Sequence, residues 1–141
     1  LDGSQTDVSF HALLERLVEQ MRTTAGLAED YLRLSIAGSD TRWNSDKATS
    51  LGIILNELLT NALKYGMNNS GSADIEVCSE TDDAKLSVIV RNKIETNAPI
   101  DAISSTRLGS RLIEQLITDF DAKITSDSSE NSFVVRVDMP I

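Results

Sequence analysis

Residues 51–66 read LGIILNELLTNALKYG. Leu51, Leu55, Leu58 and Ala62 recur at helical spacing and share one face, which is the core side of a predicted helix. Glu57, Asn61 and Lys64 fall at i, i+4 and i+7, so their side chains leave the helix together on a neighbouring face. A carboxylate, a carboxamide and an ammonium in line beside a dense apolar face are the parts of a metal–phosphate site. The carboxylate takes a proton from water, the amide oxygen is a hard ligand for Mg²⁺, and the ammonium meets phosphate oxygens. The bland reading is a solvated helix edge, and a lysine near a helix C-terminus is favoured by the helix dipole in any case.

Working outward, the helix begins near Asn44 or Ser45, either of which can cap it, with Asp46 in its first turn and Gly66 as its stop. Trp43 just before it reads as a packing anchor. Upstream, residues 8–25 are predicted as a helix with Phe10, Leu13, Leu14, Leu17, Val18 and Met21 as its apolar stripe and Asp7 or Ser9 as N-cap. Residues 31–37 alternate, as a half-buried strand does, and Gly38-Ser39-Asp40 turns the chain. Downstream, residues 73–79 and 84–91 form a predicted antiparallel hairpin turning at Thr81-Asp82-Asp83. Residues 92–107 carry little periodicity and read as a long loop of the kind that serves as a lid. A third helix is predicted from Gly109, with Leu112, Ile113, Leu116, Ile117 and Phe120 inward. Residues 123–127 and 132–139 form a last hairpin.

The order α-β-α-β-β-loop-α-β-β excludes a doubly wound parallel sheet. It favours a two-layer α/β sandwich, with a mixed, mostly antiparallel sheet and three main helices on one face. Residues 1–7 read as a linker from an upstream region, and residues 8–141 as one domain.

The composition narrows the partners. The 141 residues include 13 basic and 22 acidic ones, giving a net charge of −9. Duplex nucleic acid and an anionic membrane surface both require a basic footprint, so neither is an expected partner. No run of ~18 apolar residues exists to span a bilayer, no signal peptide is visible, and a cytoplasmic location is expected. Cys78 is the one cysteine and His11 the one histidine, so an internal disulfide and a closed zinc site are both excluded.

Glu57-Leu58-Leu59-Thr60-Asn61-Ala62-Leu63-Lys64-Tyr65-Gly66 resembles the N-box of the ATP-binding domain shared by sensor histidine kinases and gyrase-type ATPases, the Bergerat or GHKL fold. Leu108-Gly109-Ser110-Arg111-Leu112-Ile113 resembles that family's second glycine box running into its helix. The resemblance spans residues 8–141 and implies bacterial two-component signalling, with ATP and Mg²⁺ as ligands. It implies that Asn61 holds Mg²⁺ bridging the phosphates and that Glu57 positions water and metal as the catalytic carboxylate. Lys64 would touch phosphate and Tyr65 would lie by the nucleotide. The backbone at Leu108, Gly109 and Ser110 would approach the phosphates.

Three departures from the family pattern stand out. Its first glycine box, Asp-x-Gly-x-Gly, corresponds here to Asn92, Ile94 and Thr96. The resemblance gives Asn92 the contact to the adenine amino group, with an amide oxygen in place of a carboxylate. Arg107 takes a position where the family often has glycine, where it either contacts phosphate or obstructs the cradle. His11 lacks the setting of a phosphoacceptor, and is read as a structural or surface residue. The acceptor histidine is therefore expected outside this chain, on upstream dimerisation helices of a homodimeric protein that signals to a response regulator. Two alternatives remain open. One is a degenerate, non-catalytic domain that binds a regulatory protein of a response-regulator or sigma-factor pathway. The other is a serine-kinase anti-sigma factor of the same fold.

Overall fold

A computed structural model describes residues 7–66, 74–82, 84–93, 114–115, 117–129 and 131–140, with Tyr65 and Gly66 described by backbone alone. The described elements are β1 (Val8–Ser9), α1 (Phe10–Ala25), β2 (Leu32–Gly38), β3 (Arg42–Trp43), α2 (Ser45–Gly66), β4 (Ile75–Thr81), β5 (Lys85–Lys93), β6 (Lys123–Ser128) and β7 (Ser132–Pro140). Residues 114–115 and 117–120 are helical, as expected for the third helix; its predicted start at Gly109, with Leu112, Ile113 and Leu116, lies outside the described residues.

Five strands form one sheet in the order β2-β4-β5-β7-β6. β2 runs parallel to β4, and every other neighbouring pair is antiparallel. The parallel pair follows from the connection: α2 carries the chain from β2 back across the sheet before β4 starts. The result is the mixed, mostly antiparallel sheet expected of an α/β sandwich.

Alternation along the strands sends one set of side chains toward the helices. The inward rows are Ile75 and Val77 on β4, Leu86, Val88 and Val90 on β5, and Phe133, Val135, Val137 and Met139 on β7, all buried. Against them α2 places Leu51, Ile54, Leu55, Leu58, Leu59 and Ala62, and α1 places Phe10, Leu14 and Val18. Each large side chain so buried contributes about 1.5–3 kcal/mol of transfer free energy.

The cap of α1 is Ser9, whose Oγ accepts from the Ala12 N–H; Asp7 is not used. Gly26, at φ 70°, ends that helix in the left-handed conformation that favours glycine. Asn44 caps α2, its Oδ1 accepting from the Lys47 N–H at 2.9 Å. A short pairing that the sequence does not announce links the two helix starts: Val8 lies opposite Trp43 and Ser9 opposite Arg42. Asp40 reinforces this junction by accepting from the Ser9 hydroxyl and the His11 N–H.

The strands differ from expectation mainly at their ends. β2 spans 32–38 rather than 31–37, and β4 spans 75–81 rather than 73–79. Thr81 therefore belongs to the strand, and the hairpin turn is set by Asp82, whose Oδ1 accepts from the Ala84 and Lys85 N–H groups. The cause is an Asx-type turn, tighter than a three-residue polar turn. β5 runs two residues further than predicted, to Lys93, so Asn92 is a strand residue and not the start of a loop.

Gly38 closes β2 at φ 92°, and a Cβ there would sit 2.2 Å from the Thr81 carbonyl oxygen on β4. Both the dihedral and the close backbone approach demand glycine. Gly38→Ala is expected to cost about 1–3 kcal/mol in a urea titration; an unchanged midpoint would contradict this junction.

On the sheet face away from the helices, Asp138 accepts from Ser87 Oγ at 2.5 Å and Arg136 Nε at 3.0 Å. Burial alone would raise its pKa, but these two donors outweigh it and hold the carboxyl below its ordinary value. A carboxyl depressed by folding stabilises the native state above its unfolded pKa of about 3.9, and that contribution is lost as pH falls through the lower native value. The stability gap between wild type and Asp138→Asn is therefore expected to be full at neutral pH and to close below about pH 4. Urea midpoints at several pH values check this, and a gap that widens in acid would refute the sign.

Candidate functional site

The three stripe residues of α2 emerge together, as their spacing requires. Asn61 is 3 % exposed, Glu57 one turn earlier is half-buried, and Lys64 in the last turn is exposed. The gradient follows from the helix itself: Asn61 borders the apolar face of Leu58 and Ala62, and the other two lie further round. A carboxamide buried in an otherwise aliphatic layer is uncommon, and it sets Asn61 apart from the rest of the helix.

β5 supplies the second buried amide. Asn92 is 2 % exposed and continues the inward row Leu86, Val88, Val90. It stands opposite Ile75 on β4 and Phe133 on β7. Its Nδ2 donates to the Lys93 carbonyl at 3.3 Å, a long contact with its own neighbour. α2 packs directly on β5, so Asn61 and Asn92 sit on facing elements. Both are near C-terminal ends, where those elements run into residues outside the description. Arg107, Leu108, Gly109 and Ser110 lie among those residues, as does the side chain of Tyr65.

The rim at this end of the sheet is charged. Asp74 accepts from Arg33 Nη2 at 2.7 Å and lies 3.7 Å from Lys93 Nζ; Arg91 pairs with Glu76 at 2.9 Å. The hydrogen bond from Arg33 is the main reason the Asp74 carboxyl is held below the usual carboxylate range, with Lys93 adding to it. The sequence reading missed this cluster, because its members come from three strands far apart in the chain. Each such exposed pair contributes at most about 1 kcal/mol.

His11 sits in the first turn of α1. Its Nε2 is buried with no hydrogen-bond partner among the described residues, and its Nδ1 lies 3.8 Å from Asp40. Cys78 is a free, half-buried thiol on the outer sheet face, its pKa raised first by burial and then by Glu76 and Glu80. Trp43 is 5 % exposed and packs as an anchor, with Lys47 Nζ 4.3 Å from its ring centroid.

Solved structures supply the comparison that decides the architecture. The chain superposes on the blue-light activated histidine kinase EL346 of Erythrobacter litoralis with a TM-score of 0.72 at 21 % identity, covering 94 % of this chain and 45 % of that one. On the catalytic domain of histidine kinase ThkA the TM-score is 0.68 at 19 % identity, covering 96 % of this chain and 94 % of that one.

This chain has the fold of a histidine kinase catalytic domain.

Histidine kinase AdeS of Acinetobacter baumannii gives the same answer, with a TM-score of 0.71 at 14 % identity over 95 % of this chain and 66 % of that one. The near-complete mutual coverage with ThkA sets the histidine kinase catalytic domain, rather than a larger unit, as the match. The chain spans 59 % and 45 % of the two EL346 structures, which therefore carry further parts. No protein-family model and no curated protein sequence matches the chain.

Proposed function

We propose that this chain is the ATP-binding catalytic domain of a two-component sensor histidine kinase, delivering the ATP γ-phosphate to a histidine outside the chain. The observation that carries the reading is the burial of the Asn61 carboxamide on α2, beside half-buried Glu57 and exposed Lys64, within a histidine kinase catalytic fold.

The donor set fits Mg²⁺. Asn61 offers a hard neutral oxygen and Glu57 a carboxylate one turn away, and among the described residues no cluster of three or more His, Cys, Asp or Glu side chains forms a closed cage. Mg²⁺ keeps several waters and takes one or two protein oxygens together with substrate phosphates, so a sparse donor set is what it requires. Asn61 would hold the ion, which supplies charge neutralisation on the phosphates when bound. Glu57 would orient water at the metal and Lys64 would pair with a phosphate oxygen. Arg107 and the backbone of Leu108, Gly109 and Ser110 complete the phosphate side of the proposal, Tyr65 flanks the nucleotide, and Asn92 reads the base.

The burial of His11 Nε2 supports an acceptor outside this chain, because that ring nitrogen offers no open approach to a phosphoryl group. The proposal places the acceptor on dimerisation helices of a bacterial, cytoplasmic homodimer that passes the phosphoryl group to a response regulator. Among the described residues no helix is long and apolar enough to cross a membrane.

A second reading has one observation in its favour. Asn92 donates to its own neighbour's carbonyl from a strand position between Ile75 and Phe133, and the glycines of the family's first glycine box are replaced by Ile94 and Thr96. A non-catalytic domain that docks a response-regulator or sigma-factor partner would tolerate both changes. Calorimetric titration with ATP, with and without Mg²⁺, separates the readings. Saturable binding that strengthens with Mg²⁺ supports the kinase domain, and no heat at millimolar nucleotide supports the docking domain.

A further inference from the structure

α1 and α2 lie side by side over the sheet, and an open groove of about 740 Å³ runs along their outer seam. Its apolar floor is Leu17, Met21 and Leu63. Leu13, Leu17 and Met21 recur every four residues along α1 and are half-buried. On α2 the solvent-side stripe is Ile53, Asn56, Thr60 and Leu63, at spacings of three, four and three, and Ile53 is 38 % exposed. That stripe carries no charge in a chain whose residues are 25 % charged. Depletion of charge around partly exposed apolar and methionine side chains marks the centre of an interface rather than an ordinary wet face.

The charges at the rim decide which partner fits. Glu19 is neutralised by Arg22 at 3.0 Å, and Arg22 is further fixed by donating its Nε to the Leu32 carbonyl. Arg16 lines the same groove and has no ion-pair partner among the described residues. The groove thus presents an apolar floor, neutral walls and one unpaired guanidinium, although the whole chain carries −9.

We propose that the α1–α2 seam is a docking groove for an acidic amphipathic helix of another polypeptide. Two parallel ridges with a furrow between them accept a third helix by ridges-into-grooves packing. From Arg16 to Thr24 the furrow extends about 12 Å, room for roughly two turns of a partner. Apolar side chains of that partner at i, i+3 or i+4, and i+7 meet Leu17, Met21 and Leu63, the helix-in-groove mode. Met21, being flexible, adapts to their shape. A carboxylate at the Arg16 end makes the bidentate pair that a guanidinium favours. The proposal does not depend on nucleotide binding.

The test uses two synthetic helical peptides of about 14 residues, roughly four turns, with the same leucine stripe and either glutamate or lysine on its flanks. Each is titrated into the isotope-labelled chain and followed by amide chemical shifts. The acidic peptide is expected to shift residues of α1 between 13 and 24 and of α2 between 53 and 63, and to bind about tenfold more tightly than the basic one. Arg16→Glu, an exposed change that leaves the core intact, is expected to reverse that preference. Shifts centred elsewhere, or equal affinity for the two peptides, would overturn the proposal. So would a sedimentation mass of two chains with the groove closed by a second copy.

Discussion

Asn61→Ala is expected to remove Mg²⁺-dependent nucleotide binding from this chain, with affinity falling at least tenfold, about 1.4 kcal/mol or more. The alanine deletes the one neutral hard oxygen that α2 buries beside the proposed phosphate position, while the helix itself is left with a better helix former. The folded state should survive, because a single buried amide contributes on the order of 1 kcal/mol net. Calorimetry on the variant, with a urea titration as control, therefore separates a lost ligand from a lost fold. Retained Mg²⁺-dependent affinity in a folded Asn61→Ala chain would show that the metal is held elsewhere. Loss of nucleotide affinity together with an unfolded chain would contradict the minor structural role given to Asn61.

The largest stability effect is expected at Leu55. It lies mid-helix on α2, is 1 % exposed, and belongs to the cluster that joins both helices to β4, β5 and β7. Leu55→Ala removes buried carbon and leaves a cavity in a layer that cannot close around it, at a cost of about 2–5 kcal/mol. A domain of this size holds about 5–15 kcal/mol in all, so the urea midpoint should fall sharply. Thr60→Ala, on the exposed side of the same helix, should stay within about 0.5 kcal/mol of wild type. Equal effects at the two positions would mean that α2 is not oriented as described.

Much of this architecture is legible in the amino-acid sequence. α2 is readable because Leu51, Leu55, Leu58 and Ala62 recur on one face over about three turns. That same regularity fixed the polar stripe of Glu57, Asn61 and Lys64 at the edge of the core. The hairpins were readable from alternation and polar turns. Their ends were not, because Thr81 and Asn92 are polar residues that strand pairing carries inward or onward. The sequence alone suggested that Asn92 opens a loop, whereas ladder bonds to β4 and β7 extend β5 through it. The β1–β3 pairing is two residues long on each side and has no periodic signal to find. The α1–α2 groove is not legible in the sequence for a different reason. Periodicity places Leu13, Leu17 and Met21 on the core stripe of α1, and only the placement of α2 shows that they stop short of full burial. Arg107, Leu108, Gly109, Ser110 and the Tyr65 side chain rest on the family resemblance alone.

The most direct test of the central claim is to map where nucleotide touches the chain. Amide chemical shifts of the labelled domain, recorded during titration with ATP and Mg²⁺, report every residue near the ligand. The account predicts saturable changes concentrated in the C-terminal half of α2 around Glu57, Asn61 and Lys64 and at the end of β5 around Asn92. The outer face of the sheet at Cys78 and Arg136 should stay silent. Changes that avoid α2, or none at millimolar nucleotide, would contradict the assignment of this chain as an ATP-binding kinase domain.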